Sequence, residues 1–310
     1  TFTMFAITLR DMGIEVRFAA SDRVEDLEAL TDSRTKAIFL ENLGNPAFNI
    51  PDYEPIVEMA RRKGICVMVD NTFGMGGYLF RPFEWGANVS IHSATKWICG
   101  HGTALGGVVV DGGNFDWTLE KYPLLAAPSE SYHGQVCKEV FGDAAFAGRV
   151  RVDGLRNIGP SASPFNSFLM LQGLETLSLR AERCCTNALA IAEFLEGHPA
   201  VESVNYVGLK SNPYHDLACK YLRNGFGGVL TFRVKGGFEA AAALVSRLEL
   251  ILHVGSVGDA KSLIVHPAST THSQLSPEEQ VAAGVYPNML RLSVGIENVD
   301  DLIADLSAAL

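Results

Sequence analysis

The sequence lacks an excess of basic residues: 25 Lys and Arg stand against 35 Asp and Glu, and the formal net charge is −10 at pH 7. Such a balance argues against nucleic acid and anionic membranes as partners. No apolar run reaches membrane-spanning length, and no internal repeat or low-complexity tract occurs. With 310 residues, 47% of them hydrophobic, the chain can bury a core, and we expect a soluble globular protein of two domains.

The cysteines also lack a pattern. Six are spread along the chain without metal-ligand spacing, and several lie in apolar runs, which predicts reduced thiols and a cytoplasmic protein. His266 and His272 could suggest a metal, but Pro267 follows the first, and neither i, i+4 spacing nor a carboxylate cluster accompanies them. We therefore predict no metal, and interpret these histidines as part of a loop packed near the active site.

What the sequence does contain is an alternation of strand and helix patterns. Between two of the apolar runs, residues 55–60 have the pattern of an amphipathic helix. The alternation predicts an α/β fold with a mostly parallel sheet covered on both faces. The runs predicted as buried strands are Ala37–Leu40, Cys66–Val69, Val89–His92 and Val108–Val110.

The second half follows a different pattern. Residues 111–164 lose periodicity, which predicts a long loop that is functional or ordered by a partner, and one long helix is predicted from Phe165 toward Phe194. Residues 300–306 predict an amphipathic terminal helix. We divide the chain into a large domain, 1–172, and a small α+β domain, 173–310. The small domain is expected to hold a smaller, more alternating sheet of the strands Val204–Tyr206, Val229–Phe232, Leu263–Val265 and Leu290–Val294.

The most informative short motif is Ser93-Ala94-Thr95-Lys96, directly after the third predicted strand. A desolvated lysine favours its neutral amine and is a candidate Schiff-base nucleophile, while nearby hydroxyls and backbone N–H groups can hold a phosphate. Together they suggest pyridoxal phosphate; the alternative is a lysine that reaches solvent. The motif also fits the Ser-x-x-Lys of serine β-lactamases, but the Ser-Asp-Asn and Lys-Thr-Gly partners of that family are absent.

Asp70 directly follows the second predicted strand, at the end where open α/β sheets bind ligands. An ionised carboxylate opposite the ring nitrogen of a pyridoxal cofactor keeps the pyridinium protonated and preserves the electron sink. Aspartate also commonly begins a loop, so this position alone leaves both interpretations open.

Three stretches carry a resemblance to a known family: Val69–Phe73, His92–Trp97 and Arg291–Glu297. They resemble signatures of the Cys/Met-metabolism family of pyridoxal phosphate enzymes, and the similarity runs from Thr1 to Leu310. The resemblance implies PLP fold type I, the aspartate-aminotransferase-like α/β fold, with pyridoxal 5'-phosphate as cofactor. Segments 116–142 and 163–177 look like those of the O-acetylhomoserine sulfhydrylase branch.

Carried over residue by residue, the resemblance implies a set of roles. Lys96 would bind the cofactor as a Schiff base and move protons, and Asp70 would pair with the pyridine nitrogen. An arginine would grip the substrate carboxylate, a task that suits its planar fork. The further residues implied are Asn45 at the cofactor's phenolic oxygen, Ser93 and Thr95 at its phosphate, and Arg291 with Ser256 at the substrate carboxylate.

The implied reaction is replacement of acetate on O-acetyl-L-homoserine by sulfide or a small thiol, giving homocysteine or methionine in methionine biosynthesis. Alternatives are methionine γ-lyase or cystathionine γ-synthase chemistry, or an inactive fragment. Residues 1–5 resemble the interior of the family pattern, so we expect an N-terminally incomplete chain that lacks the aromatic residue stacking on the cofactor. The resemblance also implies a homo-oligomer, a dimer of dimers in the complete enzyme.

Overall fold

In the computed structural model, which describes residues 1–274, 276–282 and 284–310, the chain is built around two main sheets. The first has four strands in the order β1-β2-β3-β4; β1, β2 and β3 are parallel, and β4 is antiparallel to β3. This confirms the predicted α/β class and the four predicted strands. Their bounds are β1 Ala37–Glu41, β2 Cys66–Asp70, β3 Val89–Ser93 and β4 Gly107–Asp111.

The burial predicted for β4 is wrong. Val108, Val109 and Val110 are 39%, 46% and 38% exposed. The reason lies in the strand order, since β4 is the edge strand and is hydrogen-bonded on one side only. An apolar run predicts a buried strand, but it does not show which element of the fold packs against that strand.

The second sheet has five strands in the order β7-β8-β11-β10-β9, so the expectation of a smaller sheet is wrong for this chain. The expected alternation is wrong as well, because every residue of β11 is buried. The four predicted strands are present, and the short β9 was not predicted. A two-stranded hairpin, β5–β6, stands apart. The bounds are β5 Pro128–Ser129, β6 Gln135–Val136, β7 Val201–Asn205, β8 Val229–Val234, β9 Leu252–His253, β10 Leu263–Val265 and β11 Met289–Ser293.

Helices cover both sheets, and no described helix combines the length and the apolar character needed to cross a membrane. The α-helices are α1 Leu9–Asp11, α2 Val24–Ala29, α3 Tyr53–Arg62, α4 Pro123–Ala126, α5 Cys137–Phe141, α6 Ala145–Arg149, α7 Pro164–Glu175, α8 Leu177–Glu196, α9 His215–Tyr221, α10 Gly237–Arg247, α11 Pro277–Ala282 and α12 Val299–Ala309. Short 3₁₀ turns are Thr72–Gly77, Pro82–Trp85, Glu130–Tyr132, Gly142–Ala144 and Pro267–Ser269, and π-helical turns are Met4–Thr8 and Val150–Ile158.

Two helix predictions need correction. The single long helix after Phe165 is two helices, α7 and α8, that meet at Thr176. Residues 111–164 are not a loop, because α4, α5, α6, a π-helical turn and the β5–β6 hairpin occupy them. Elements this short give too few periods for a sequence pattern to detect.

Helix α8 joins the two hydrophobic cores. Its first half packs Leu177 and Cys184 into the core of the first sheet, and its second half packs Ile191 and Leu195 into the core of the second. The two sheets lie on either side of the predicted boundary at residue 172, and the boundary itself stays a prediction.

Candidate active site

The carboxyl ends of β1, β2 and β3 border a cavity of about 370 Å³. Parallel strands present their carboxyl ends at one edge of a sheet, so polar residues that are far apart in sequence meet there. Six of the seven predicted site residues line this cavity: Asn45, Asp70, Ser93, Lys96, Ser256 and Arg291.

Lys96 lies in a turn directly after β3, with its backbone N–H donating to the carbonyl of Ser93 at 3.2 Å. Its Nζ donates to Ser256 Oγ at 2.9 Å across the cavity. Partial burial, and then the positive charge of Arg291, lower the pKa of Lys96. The amine therefore loses its proton more readily than that of a lysine in water.

The Ser256 loop is held against the Lys96 turn by a close backbone approach. Gly258 has φ +75°, and a Cβ there would lie 2.9 Å from the backbone nitrogen of Trp97. Its N–H donates to Ser293 Oγ in β11 at 2.9 Å. This glycine therefore lets a loop of the second sheet reach Lys96.

A buried arginine braces the other side of the turn. Arg180 donates to the carbonyl of Trp97 at 3.0 Å and to that of Gly173 at 2.6 Å. Gly173 is itself required by space, since a Cβ there would lie 2.2 Å from the carbonyl oxygen of Cys99. The sequence did not single out Arg180, because nothing local distinguishes it from a surface arginine of a helix.

Asp70 is the last residue of β2, in register with Glu41 of β1. Its Oδ1 accepts the Thr72 N–H at 3.0 Å, and Thr72 Oγ1 in turn accepts the Ser93 N–H at 2.9 Å. These bonds fix the ends of β2 and β3 to one another. The Asp70 carboxylate and the Ser93 hydroxyl thus border the same cavity as Lys96.

Arg291 reaches the cavity from the middle of β11 and is only 8% exposed. Its Nη1 donates to Asn45 Oδ1 at 3.2 Å, and its Nε has no hydrogen-bond partner among the described residues. Burial lowers the pKa of its guanidinium. A buried cation with a neutral amide partner and an unused donor is suited to an anion.

Thr95 is the predicted residue that the cavity lining does not include. Its Oγ1 accepts the Gly106 N–H at 3.0 Å and donates to the Gly106 carbonyl at 3.3 Å. The loop interpretation of the histidines agrees with the structure in part. His272 lines the cavity, whereas His266 is not among the lining residues; it is buried and bonds the carbonyl of Pro287.

Glu41 and Thr72 also line the cavity and were missed. The signal for Glu41 was available, because it follows the first predicted strand as Asp70 follows the second. A carboxylate at a strand end is so common that only the register of β1 with β2 shows it to be beside Asp70.

The side of the sheet facing away from the cavity carries a polar row. The backbone ladder continues past β1 and β2, so Asn42, Asn71 and His92 lie side by side, 1%, 1% and 8% exposed. Both amide atoms of Asn42, Asn71 Oδ1 and His92 Nδ1 have no hydrogen-bond partner among the described residues. His92 Nε2 is paired with Ser90 Oγ at 3.0 Å.

Comparison with known proteins identifies the class. The pattern of the Cys/Met metabolism PLP-dependent enzyme family matches residues 1–310. The chain belongs to this family, and pyridoxal phosphate is the cofactor of the family.

Particular relatives narrow the comparison. The chain is 54% identical over 311 aligned positions to O-acetyl-L-homoserine sulfhydrylase 1 of Thermus thermophilus, covering 100% of this chain and 74% of the relative. It is 50% identical over 312 positions to homocysteine synthase of Schizosaccharomyces pombe, covering 100% and 73%.

A solved structure is also similar to this chain over its whole length. The crystal structure described as an O-acetylhomoserine (thiol)-lyase from Campylobacter jejuni, which carries a pyridoxyl-lysine monophosphate, superposes with a TM-score of 0.95 at 42% identity. The match covers 100% of this chain and 74% of that one.

Proposed function

We propose that this chain carries the γ-replacement chemistry of an O-acetyl-L-homoserine sulfhydrylase, exchanging acetate for sulfide to give homocysteine, or for a small thiol such as methanethiol to give methionine. The observation that carries the proposal is the 54% identity to the Thermus thermophilus enzyme across the whole chain. The cavity supports it with an amine, a carboxylate and a buried guanidinium within one lining.

The donor set fits pyridoxal phosphate. We assign Lys96 to the Schiff base, Asp70 to the ring nitrogen, and the hydroxyls of Ser93 and Thr95 to the phosphate. Asn45 fits the phenolic oxygen, because Arg291 already occupies its amide oxygen and leaves the amide nitrogen to donate. The Thr95 hydroxyl would have to change its hydrogen bonds to reach the phosphate, since it now bonds the backbone of Gly106.

When bound, the cofactor supplies an electron sink for negative charge at the substrate α-carbon. Once the substrate amine has displaced it, the free Lys96 Nζ would take the α-proton, and its lowered pKa suits the amine to act as a base. Ser256 Oγ orients that amine by accepting its hydrogen bond. Arg291 binds the substrate α-carboxylate, with Ser256 beside it, and so holds the α-carbon near Lys96.

The test begins with cofactor attachment. The purified 310-residue chain is incubated with pyridoxal phosphate, its visible spectrum is recorded, and borohydride reduction is followed by peptide mapping. We expect one equivalent of label, on Lys96. Label scattered over surface lysines would contradict the assignment of this cavity.

The second step tests the reaction. With O-acetyl-L-homoserine and sulfide, we expect equal amounts of homocysteine and acetate. Formation of 2-oxobutyrate at the same rate with and without sulfide would instead identify a γ-elimination enzyme.

We further infer that the chain works as a homo-oligomer, a dimer of dimers, in the cytoplasm. Apolar side chains are exposed on α7, among them Phe165, Phe168 and Leu171, and on the edge strand β4. Apolar patches of this kind mark interaction surfaces. Six free cysteines suit a reducing compartment. Light scattering should give a multiple of 33.5 kDa, and a monomeric mass at micromolar concentration would refute the oligomer.

A further inference from the structure

Glu41 is a cavity residue to which the proposed reaction gives no role. It ends β1 in register with Asp70, so two carboxyl groups lie side by side at the carboxyl edge of the sheet. Burial raises the pKa of Glu41, and the charge of Asp70 raises it further. A second acid is electrostatically unfavourable here, so a compensating contact is expected.

That contact is to the backbone of Asn45. Glu41 Oε2 accepts the Asn45 N–H at 3.1 Å. The rest of the turn is closed by its own backbone, since the Gly44 N–H donates to the Asn49 carbonyl at 3.0 Å and the Phe48 N–H to the Gly44 carbonyl at 2.6 Å. Glu41 therefore supplies the side-chain bond that ties this turn to the end of β1.

The side chain of Asn45 continues the connection. Its Oδ1 accepts from Arg291 Nη1 at 3.2 Å, so a line of two hydrogen bonds runs from the end of β1, through Asn45, to the middle of β11. While both bonds are made, the Asn45 side chain can take only a few orientations. Glu41, through the backbone, and Arg291, through Oδ1, then set the direction of the side-chain amide nitrogen.

We propose that Glu41 is a positioning residue, which holds Asn45 by its backbone so that the Asn45 side chain can serve the cofactor and Arg291 together. This inference rests on the proposed function. Glu41 acts as a hydrogen-bond acceptor in this role, so Glu41→Gln should preserve it and Glu41→Met, of similar length but without an acceptor, should abolish it.

The first test needs neither cofactor nor turnover. Hydrogen exchange of the Asn45 backbone N–H is followed by NMR on the 310-residue chain. It should be about tenfold faster in Glu41→Met and within about threefold of wild type in Glu41→Gln. Unchanged exchange in Glu41→Met would overturn the proposal, and so would equal acceleration in both variants, because the charge and not the acceptor would then matter.

A measurement on the wild-type chain covers the case in which Glu41→Met does not fold. The chemical shift of the Asn45 backbone N–H should change with pH, because this group donates to Glu41 Oε2. The midpoint should lie above the ordinary glutamate pKa. Asp70 lies beside Glu41 in this cavity, so Glu41→Gln is the control and should remove the pH-dependent change in the Asn45 shift. An Asn45 shift that does not change with pH, or one that still titrates in Glu41→Gln, would refute the contact.

The last test reads the site with cofactor. In Glu41→Met we expect KM for O-acetyl-L-homoserine to rise about tenfold, with kcat changed less and the visible spectrum of the bound cofactor shifted; Glu41→Gln should resemble wild type. If wild type takes no label on Lys96, the proposed function fails. If wild type is labelled and Glu41→Met matches it in KM and spectrum, only the role of Glu41 fails.

Discussion

The cavity holds two cationic side chains in contrasting regions. Lys96 lies in a turn after β3, is half-buried, and bonds the hydroxyl of Ser256. Arg291 lies in the middle of a fully buried strand, is 8% exposed, and bonds the amide of Asn45. A reacting amine must lose its proton and move, whereas a gripping cation must keep both charge and position. The fold places the first in a turn at the end of a strand and the second in the middle of a buried strand.

The largest expected effect comes from removing Lys96, the proposed Schiff-base amine. Lys96→Ala should reduce borohydride-fixed pyridoxyl label from one equivalent to background and abolish γ-replacement, because no other lysine lines the cavity within the described residues. Peptide mapping and a homocysteine assay measure this. Lys261 is an exposed lysine outside the cavity lining, so Lys261→Ala is the matched control. This variant should keep the label on Lys96. Normal γ-replacement by Lys96→Ala would contradict its role.

Replacing Arg291, the residue proposed to bind the substrate carboxylate, should have a smaller and different effect. Arg291→Lys keeps the charge but loses the planar fork, and we expect KM for O-acetyl-L-homoserine to rise about 10- to 100-fold, from the roughly 1.5–3 kcal/mol of a hydrogen bond to a charged group. Label on Lys96 should persist. Steady-state kinetics at saturating sulfide measure the change. An unchanged KM would place the substrate carboxylate elsewhere.

The two cations can also be separated by pH. Burial and the Arg291 charge both lower the pKa of Lys96, so pyridoxal labelling should rise with pH through a midpoint below the ordinary lysine value. In Arg291→Gln the repulsion is gone, the pKa of Lys96 rises, and labelling at pH 8 should be slower. Stopped-flow absorbance across pH gives the midpoints. A midpoint that stays fixed would show that the two charges do not interact.

The smallest expected effect belongs to the group that orients the amine. Ser256→Ala removes one neutral hydrogen bond to Lys96 Nζ, a loss of roughly 0.5–1.5 kcal/mol, so kcat/KM should fall about 2- to 10-fold with full labelling retained. Ser273→Ala, on an exposed side chain, is the control. A loss as large as that of Lys96→Ala would mean that the hydroxyl takes part in the chemistry itself.

Sequence patterns predicted those site features that depend on strand ends. Lys96 and Asp70 stood out because each follows a short apolar run, and the sheet brought both to one cavity. Arg291 required the family resemblance, since a lone arginine in a strand gives no signal of a site.

What could not be predicted depends on contacts between distant segments. Glu41 matters through its register with β2, Arg180 through the turn it braces, and Gly258 through its approach to Trp97. The exposure of β4 was missed for the same reason, because burial is decided by neighbours in space. The local sequence pattern predicts a helix or strand, but only the packing of the whole fold shows which residues surround it.

The polar row of Asn42, Asn71 and His92 has a consequence for thermostability. Buried polar atoms without partners destabilise a fold, and matched apolar replacements can be neutral or favourable. The row directly adjoins the residues that form the site, so a substitution there alters the support of the cavity without entering it. Efforts to raise the melting temperature of this enzyme have their natural starting point at Asn42, whose amide has no described partner at either atom.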